Sequence, residues 1–307
     1  MKTLLPGRFL IFFAILFTII SCKKDTDPGT PVSDEVKTDS IPVIDIKEEP
    51  PLVITYHLDS IANMKVLDSL YSSEEQRIIF GLNRIEDVRV GAGSLLLIPD
   101  TLFTDILRYS PFPETLQIFD NIPKTVLIAQ RIQAFGLYER GKLVKWGPVS
   151  SGKKSTPTPN GLHYGNYKAQ RKVSTVNKDW ILPYYFNFMN FEGVGVHQYL
   201  LPGFPASHAC VRLDMDDAKY IYDWAKQWQL DPPGNKIVKN GTPFMVFGEY
   251  EFEDESPPWM DLARNPEANR LNDAEMQTLK NYVENYLNDE KNYEEPPAEV
   301  KELLAGV

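Results

Sequence analysis

Two strand-like runs joined by a two-residue turn place the strongest constraint on how this chain folds. Residues 125–139 and 142–151 have the pattern of strands, and Arg140-Gly141 between them offers a glycine where a tight hairpin needs a positive φ. Apolar side chains at 126–128 lie on both faces of the first run. Since such a strand is covered on both sides, we predict a β-sandwich or barrel core here.

Helices complete an α+β, mainly β fold. Before the hairpin we predict a small β-α-α-β module, and Asp214 followed by an acidic turn predicts a further helix. Asn272 with Glu275 three residues on forms a capping box ahead of an apolar stripe, which predicts a helix over 271–287 that docks on the β domain. The elements of the small module are predicted at 52–56, 61–71, 73–82 and 95–98.

The first 51 residues have the composition of an export signal and a linker. Lys2 and Arg8 precede a twelve-residue apolar run, which is too short to span a bilayer but suits a signal peptide. The run ends at Ser21-Cys22, which resembles a lipobox and implies lipidation of Cys22; the alternative is a plain signal with an incidental cysteine. Residues 23–51 contain five prolines, twelve charged residues and no aromatic, so we expect a disordered tether.

The formal charge of −10 is not spread evenly along the chain. Residues 249–307 contain 5 Lys and Arg against 16 Asp and Glu, so the rest of the protein is close to neutral. Neither part has the basic, aromatic surface of a nucleic-acid-binding protein, and we therefore expect no nucleic-acid partner.

Residues 193–213 concentrate the reactive side chains. His197, His208 and Arg212 flank Cys210, one of only two cysteines. An exported chain normally pairs its cysteines, so an unpaired thiol beside two imidazoles indicates a nucleophile with a base. By itself Cys210 would more simply be a small buried apolar residue. A neighbouring imidazole is expected to lower the thiol pKa to roughly 3.5–7.5.

Other site chemistries fit the same stretch less well. His197, His208 and Cys210 could supply three zinc ligands, but no metal motif frames them. The chain also lacks a phosphate-binding glycine loop and a dinucleotide fingerprint. We therefore expect neither a metal nor another cofactor.

The sequence 207–212, Ser-His-Ala-Cys-Val-Arg, resembles the signature of the L,D-transpeptidase family with its YkuD-like catalytic domain. In that family, a leading His precedes Ser-His-Gly-Cys, an apolar residue and Arg or Asn. The stiff turn over 150–161 and the Gly-Thr-Pro segment at 241–243 also resemble family motifs, so the resemblance covers about 125–247.

The resemblance implies a cysteine acyl-enzyme on peptidoglycan stem peptides. It makes Cys210 the nucleophile and His197 the general base, oriented by a nearby carbonyl that we assign to Gln198. It places Ser207 and His208 in the pocket, with oxyanion donors around Ala209 and Cys210. Arg212 is implied to bind a substrate carboxylate or to stabilise nearby charge, and Tyr184 or Tyr185 to line the groove, although both tyrosines also suit a core.

Two departures from the family pattern need an account. Ala209 replaces the usual glycine, which matters only if φ there is positive; we interpret it as tolerated divergence. The loop from His197 to Ser207 is short, which could change how the acceptor groove is covered.

The small N-terminal module resembles a degenerate LysM module in its second half, 82–99. That resemblance implies weak glycan binding, and the alternative is a subdomain that only packs on the catalytic one. The predicted organisation is a lipoprotein signal peptide (1–22), a tether (23–51), the LysM-like module with a connector (52–122), the catalytic domain (123–250) and an acidic C-terminal extension (251–307).

Three functions therefore stay open. The first is an L,D-transpeptidase that cross-links stem peptides or attaches material to the wall. The second is an L,D-carboxypeptidase or endopeptidase that resolves the same acyl-enzyme with water. The third is a non-catalytic peptidoglycan-binding lipoprotein tether. All three predict a lipid-anchored protein of the bacterial cell envelope, with the outer membrane facing the periplasm as the expected location.

Overall fold

The computed structural model describes residues 53–254 and 256–293. These residues belong to a unit that begins at Leu52. The predicted signal peptide, the lipidated Cys22 and the tether lie outside the described residues and stay predictions. Within the described ranges, no helix is long and apolar enough to cross a membrane.

The first described segment has the predicted β-α-α-β order, which is thereby confirmed. The strands pair antiparallel, with Tyr56 opposite Pro99. The strand starts at Tyr56, and beyond it the one backbone bond among the described residues runs from the Asp100 N–H to the Thr55 carbonyl, at 2.9 Å, so the prediction of a strand over 52–56 was too early. A capping box between Ser72 and Glu75 begins the second helix. The elements are β1 (Tyr56–Ile61), α1 (Met64–Leu70), α2 (Ser73–Asn83) and β2 (Ser94–Pro99).

The remaining described residues form mostly short strands. The strands are β3 (Thr125–Ala129), β4 (Ala134–Glu139), β5 (Lys142–Pro148), β6 (Gly161–Tyr164), β7 (Lys168–Val173), β8 (Ile181–Met189), β9 (Val194–Gln198), β10 (Val211–Leu213), β11 (Gln229–Leu230), β12 (Ile237–Lys239) and β13 (Pro243–Phe247). The helices are α3 (Met215–Trp224) and α4 (Asp273–Leu287), and short 3-10 helices lie at Asp87–Arg89, Ile106–Tyr109, Gln117–Phe119, Met260–Ala263 and Glu290–Asn292.

A five-stranded sheet in the order β5-β4-β3-β13-β6 contains the predicted hairpin. Strands β4 and β5 are joined by Arg140 at φ 43° and Gly141 at φ 76°. Two successive positive φ values match the right-handed twist of a tight hairpin, so the turn prediction is confirmed. β13 runs parallel to β3 and antiparallel to β6.

A second sheet in the order β10-β9-β8-β7 carries the reactive stretch. The two sheets share one apolar core cluster, and neither closes on itself, so a mainly β fold with a few helices is confirmed and its sheets are open. Buried residues of this shared core are Val126, Ile128 and Phe135 from the five-stranded sheet and Phe186, Val196 and Val211 from the four-stranded sheet.

Helix α3 begins where β10 ends. The Asp214 side chain caps the helix by accepting a bond from the Asp217 N–H at 2.7 Å, as predicted. Ala218 and Ile221 are buried in the core between the helix and the second sheet. Because only Asp214 separates β10 from α3, this packing holds the chain just after Cys210.

Helix α4 begins at the predicted capping box of Asn272 and Glu275. Its buried Leu279 packs in a core cluster with residues of the five-stranded sheet, and the Glu275 carboxylate bonds the Arg131 guanidinium at 2.9 Å through two donors. The apolar stripe therefore docks on the β structure.

Arg84, the C-terminal cap of α2, joins three segments of the chain. Its side chain is fully buried and lies between the rings of Trp146 and Trp259, at 5.5 and 5.1 Å from their centroids. It donates to the Ile132 carbonyl at 3.1 Å and to Asn269 at 3.4 Å. The N-terminal module and the described part of the C-terminal extension are thus packed into the same interior as the β domain.

Candidate active site

Parallel pairing of β9 and β10 brings the two halves of the reactive stretch together. Arg212 is the direct partner of His197, and Cys210 immediately precedes β10. The intervening residues 199–210 form the connection. The structure therefore places the predicted nucleophile, base and arginine side by side.

A cavity of about 90 Å³ lies over this edge of the sheet. Six predicted site residues line it, whereas Gln198, Tyr184 and Tyr185 do not. The six are His197, Ser207, His208, Ala209, Cys210 and Arg212.

His197 is oriented by the carbonyl that the sequence assigned to it. Its Nδ1 lies 2.9 Å from the Gln198 carbonyl oxygen. Since a carbonyl only accepts, Nδ1 carries the proton and Nε2 keeps a free lone pair. Burial, with Arg212 adding to it, lowers the pKa of His197 to about 4, so the imidazole is neutral at pH 7. A neutral, oriented imidazole can accept a proton from a thiol.

The Cys210 thiol differs from the expectation of a lowered pKa. Burial raises the pKa of Cys210 above its ordinary value, and the Gly195 backbone N–H and the charges of Lys172 and Arg212 oppose this only in part. Its Sγ lies 3.8 Å from the Gly193 carbonyl oxygen. The thiolate expectation was wrong for the free protein because desolvation outweighs the nearby cations. The free site is a neutral thiol beside a neutral imidazole.

Hydroxyl groups hold the carbonyls of the nucleophile loop. Thr158 Oγ1 donates to the Ala209 carbonyl at 2.7 Å, and Thr156 Oγ1 donates to the Ser207 carbonyl at 3.2 Å. Ser207 itself donates to the Cys210 carbonyl. Because N–H and C=O of a trans peptide point in opposite directions, fixing the Ala209 carbonyl turns the Cys210 N–H away from Thr158.

Ala209 occupies a left-handed backbone conformation with φ 75°. A residue with a Cβ is disfavoured there by about 1–2 kcal/mol. The replacement of glycine therefore matters, by the condition stated above: the position needs the conformation that glycine adopts most easily, and the chain holds alanine in it. Whether the site tolerates this divergence stays a prediction.

His208 is less suited than His197 to accept a proton. The Lys153 ammonium lies 3.1 Å from His208 Nε2 and can only donate, so Nε2 is occupied and Nδ1 carries the proton. Nδ1 is buried without a hydrogen-bond partner among the described residues. Burial, followed by the Lys153 and Arg212 charges, lowers the pKa of His208.

Arg212 holds the short loop between the two histidines. Its guanidinium donates to the carbonyl of Ala206 at 3.0 Å and lies 4.7 Å from the Tyr199 ring centroid. Part of the predicted carboxylate fork is thus used within the protein. Substrate binding by Arg212 stays a prediction.

The two tyrosines lie beneath or beside the site. Tyr184 packs its ring against Tyr222 of α3, with centroids 5.6 Å apart. Tyr185 is fully buried, its ring 6.4 Å from that of His197, and its hydroxyl donates to the Gly193 carbonyl at 2.7 Å. Tyr185 supports the floor of the site, and substrate contact by either tyrosine stays a prediction.

Sequence reasoning missed several residues that line the cavity. Lys172, Trp180 and Glu192 come from β7, its connection to β8 and the β8–β9 turn, outside every motif. No local pattern marks them, because only the sheet order brings these segments to the cavity. Within the described residues, no group of three or more His, Cys, Asp or Glu side chains could hold a metal ion.

Comparison with known proteins supports the catalytic resemblance for part of the chain. A family model, the YkuD L,D-transpeptidase catalytic domain, matches residues 124–246, which is less than half of the chain. No curated protein matches this sequence.

Solved structures of L,D-transpeptidases resemble the chain weakly. The L,D-transpeptidase (Yku) from Stackebrandtia nassauensis is 27% identical, with a TM-score of 0.34, over 42% of this chain and 57% of its own. L,D-transpeptidase 1 from Mycobacterium tuberculosis is 23% identical, with a TM-score of 0.32, over 41% and 62%. The L,D-transpeptidase (residues 123–326) from Xylanimonas cellulosilytica is 19% identical, with a TM-score of 0.39, over 65% and 100%.

The first two likenesses span less than two thirds of the solved proteins, so the assignment rests on the family-model match. That match contains β3 to the end of β13 almost completely, together with His197, Cys210 and Arg212. Residues 124–246 therefore match the model of the YkuD L,D-transpeptidase catalytic domain.

Proposed function

We propose that this protein is a peptidoglycan L,D-transpeptidase that works through a cysteine acyl-enzyme on stem peptides. One observation carries the proposal. Within the family-matched segment, an imidazole with its Nδ1 proton on a backbone carbonyl lines the same cavity as the unpaired thiol of Cys210. That arrangement is the one a thiol needs for activation by a general base.

Acylation starts with transfer of the Cys210 proton to Nε2 of His197. The sulfur attacks the carbonyl carbon of the third stem residue, and the N–H groups of Ala209 and Cys210 are the proposed donors to the oxyanion. Collapse of the intermediate breaks the C–N bond, and the imidazolium returns the proton to the leaving amine. A thioester remains on Cys210.

The second half-reaction transfers the acyl group. His197 accepts a proton from an acceptor amine, whose nitrogen attacks the thioester; the C–S bond then breaks, and the imidazolium gives its proton to the leaving sulfur. Because the imidazole and the acceptor amine both start neutral, charge develops only as the proton moves. The pKa of His197, lowered to about 4, favours rapid transfer of that proton from the imidazolium to the sulfur.

We infer that the protein is lipidated at Cys22 and anchored to a bacterial membrane. The apolar run ending at Ser21-Cys22 and the proline-rich segment 23–51 support this. Cys22→Ser should release the protein from the membrane fraction and abolish palmitate labelling. Absence of label on the wild type would mean simple export.

Glycan binding by residues 52–122 is the corresponding proposal for the module. Its β-α-α-β order supports it, while the burial of Arg84 in the β domain equally favours a packing role. Added chito-oligosaccharide should shift amide signals of the module in the full chain. Shifts confined to residues 123–250 would leave the module a packing role only.

Incubation with purified sacculi, followed by muropeptide analysis and intact-mass measurement, tests the activity. New L,D cross-links with wild type and none with Cys210→Ala would support the transpeptidase. Trimmed stems without cross-links would identify a hydrolase. Unchanged sacculi and no adduct on folded, reduced protein would favour the tether.

A further inference from the structure

Lys172 is a cation in the active-site cavity that belongs to no motif. It lies on β7 opposite Leu182 of β8, and its side chain lines the same cavity as Cys210. Its positive charge acts on the Cys210 thiol across that cavity and opposes the effect of burial on the pKa of the thiol.

Two tyrosines hold the Lys172 ammonium in place. Nζ donates to the Tyr167 hydroxyl and lies 4.8 Å from the Tyr167 ring centroid and 4.7 Å from that of Tyr185. Tyr185 is itself fixed, because its hydroxyl bonds the Gly193 carbonyl. No ion pair between Lys172 and a carboxylate occurs in the described parts of the chain. The charge is therefore immobilised but not neutralised.

Among the described residues, Lys172 is one of two cations that line the cavity together with Cys210. Burial keeps both histidines neutral by lowering their pKa values, and keeps Tyr185 neutral by raising its pKa. Arg212 is the second cation, and its bond to the Ala206 carbonyl holds it in place without neutralising it. The Gly195 N–H and Arg212 therefore act on the thiol in the same direction as Lys172, lowering its pKa. Besides Lys172 and Cys210, the titratable side chains that face the cavity or its floor are Tyr185, Glu192, His197, Tyr199, His208 and Arg212, and the Lys153 ammonium contacts His208.

We propose that Lys172 is a positioning residue that acts through Cys210, as a preorganised positive charge that stabilises the thiolate. The proposal rests on the proposed function in taking Cys210 as the nucleophile. When His197 accepts the thiol proton, the negative charge on sulfur forms near an ammonium that is already in place and needs no reorganisation. Lys172 keeps its own protons throughout. Because the bond to Tyr167 and the two aromatic rings fix the Lys172 ammonium, it is not free to move towards a substrate and bind it.

Alkylation of Cys210 by iodoacetamide tests the proposal directly. The rate at which the Cys210 peptide gains mass is measured between pH 5 and pH 10 in the reduced full chain, with glutathione in the same tube as reference. The variants are Lys172→Met and Lys172→Gln, which remove the charge, and Lys172→Arg, which keeps it.

Lys168→Met is the matched control. Lys168 lies four residues earlier on β7 and also packs on two aromatic rings, but its ammonium bonds the Tyr222 and Ala225 carbonyls. Removing it changes a lysine of the same strand without changing the cavity lining.

Both neutral variants should raise the apparent pKa of alkylation by about one unit, which slows the reaction about tenfold at pH 7. Lys172→Arg and Lys168→Met should titrate like the wild type. Unshifted titration of folded Lys172→Met or Lys172→Gln overturns the proposal. So does an equal shift in Lys172→Arg, which would trace the effect to aromatic packing.

Iodoacetamide needs no stem peptide, so the two proposals fail separately. A shift in the neutral variants combined with unchanged sacculi would leave the role of Lys172 intact and refute the transpeptidase. If the wild type cross-links stem peptides but is alkylated with the same pH dependence as Lys172→Met, the transpeptidase stands and the role of Lys172 is refuted.

Discussion

His197 and Cys210 lie side by side but are positioned in opposite ways. His197 sits within a regular strand, and its orienting partner is the carbonyl of the very next residue. Cys210 lies in an irregular loop, directly after Ala209, whose backbone is left-handed. Thr156 and Thr158, some fifty residues earlier in the chain, hold this loop through hydrogen bonds to its carbonyls. The base is organised locally, whereas the nucleophile depends on the tertiary structure.

This difference predicts where each residue is vulnerable. The orientation of His197 depends on strand pairing, which a single side-chain substitution elsewhere scarcely changes. The Cys210 loop depends on a few side-chain hydrogen bonds that hold a strained residue. Substitutions remote in sequence should therefore affect the nucleophile more than the base.

The largest expected effect separates the two histidines. His197→Ala should slow acylation of Cys210 by a carbapenem about 10²–10⁴-fold, because the base is lost. His208→Ala should slow it less, because Lys153 already occupies Nε2 of His208. Intact-mass kinetics measure both, with Cys210→Ala as the blank that forms no adduct. A greater loss in His208→Ala would reverse the base assignment.

Acid should destabilise the protein through His197. Its pKa is about 4 when folded and about 6.5 in an unfolded chain, so the unfolded state binds the proton first as the pH falls. The stabilisation by neutral His197 is complete above about pH 6.5 and declines towards pH 4, by at most about 3 kcal/mol. Thermal unfolding against pH should show a shallower decline in His197→Gln. Identical declines would contradict a depressed pKa.

Thr158→Val should show how far the nucleophile depends on remote hydroxyls. It leaves the Ala209 carbonyl and the Gly152 N–H without their partner, at a cost of about 1–3 kcal/mol in unfolding free energy, and should slow acylation. Thr125→Val is the matched control, because the buried Thr125 hydroxyl has no partner among the described residues. Denaturant unfolding compares them. Equal losses would show that the bonds of Thr158 contribute nothing specific.

The smallest expected effect concerns backbone strain. Ala209→Gly should stabilise the protein by about 0.5–1 kcal/mol, because glycine accepts a φ of 75° freely. Ala206→Gly, in the same loop without a positive φ, should destabilise it by about 0.4–1 kcal/mol. A large gain in the acylation rate of Ala209→Gly would instead show that alanine at this position impairs the reactivity of Cys210, which would argue against a working transpeptidase.

Local features of the fold were predictable from neighbouring residues. The hairpin at Arg140-Gly141 and the capped start of α4 depend on residues within four positions of each other. The first strand of the module was placed too early, because its bounds depend on the partner strand 94–99, which is distant in sequence. Arg84 gave no signal of its role, since the rings that enclose it come from distant segments.

The residues of the candidate site also differ in whether the sequence alone could identify them. The sequence alone identified the set His197, Gln198 and Cys210, since its resemblance to the L,D-transpeptidase signature implies the nucleophile, the base and a nearby carbonyl that orients the base. Only the tertiary structure decided the protonation of the pair, the strain at Ala209 and the presence of Lys172. Burial, φ and distance through space depend on how separate strands pack, and no short stretch of sequence contains that information.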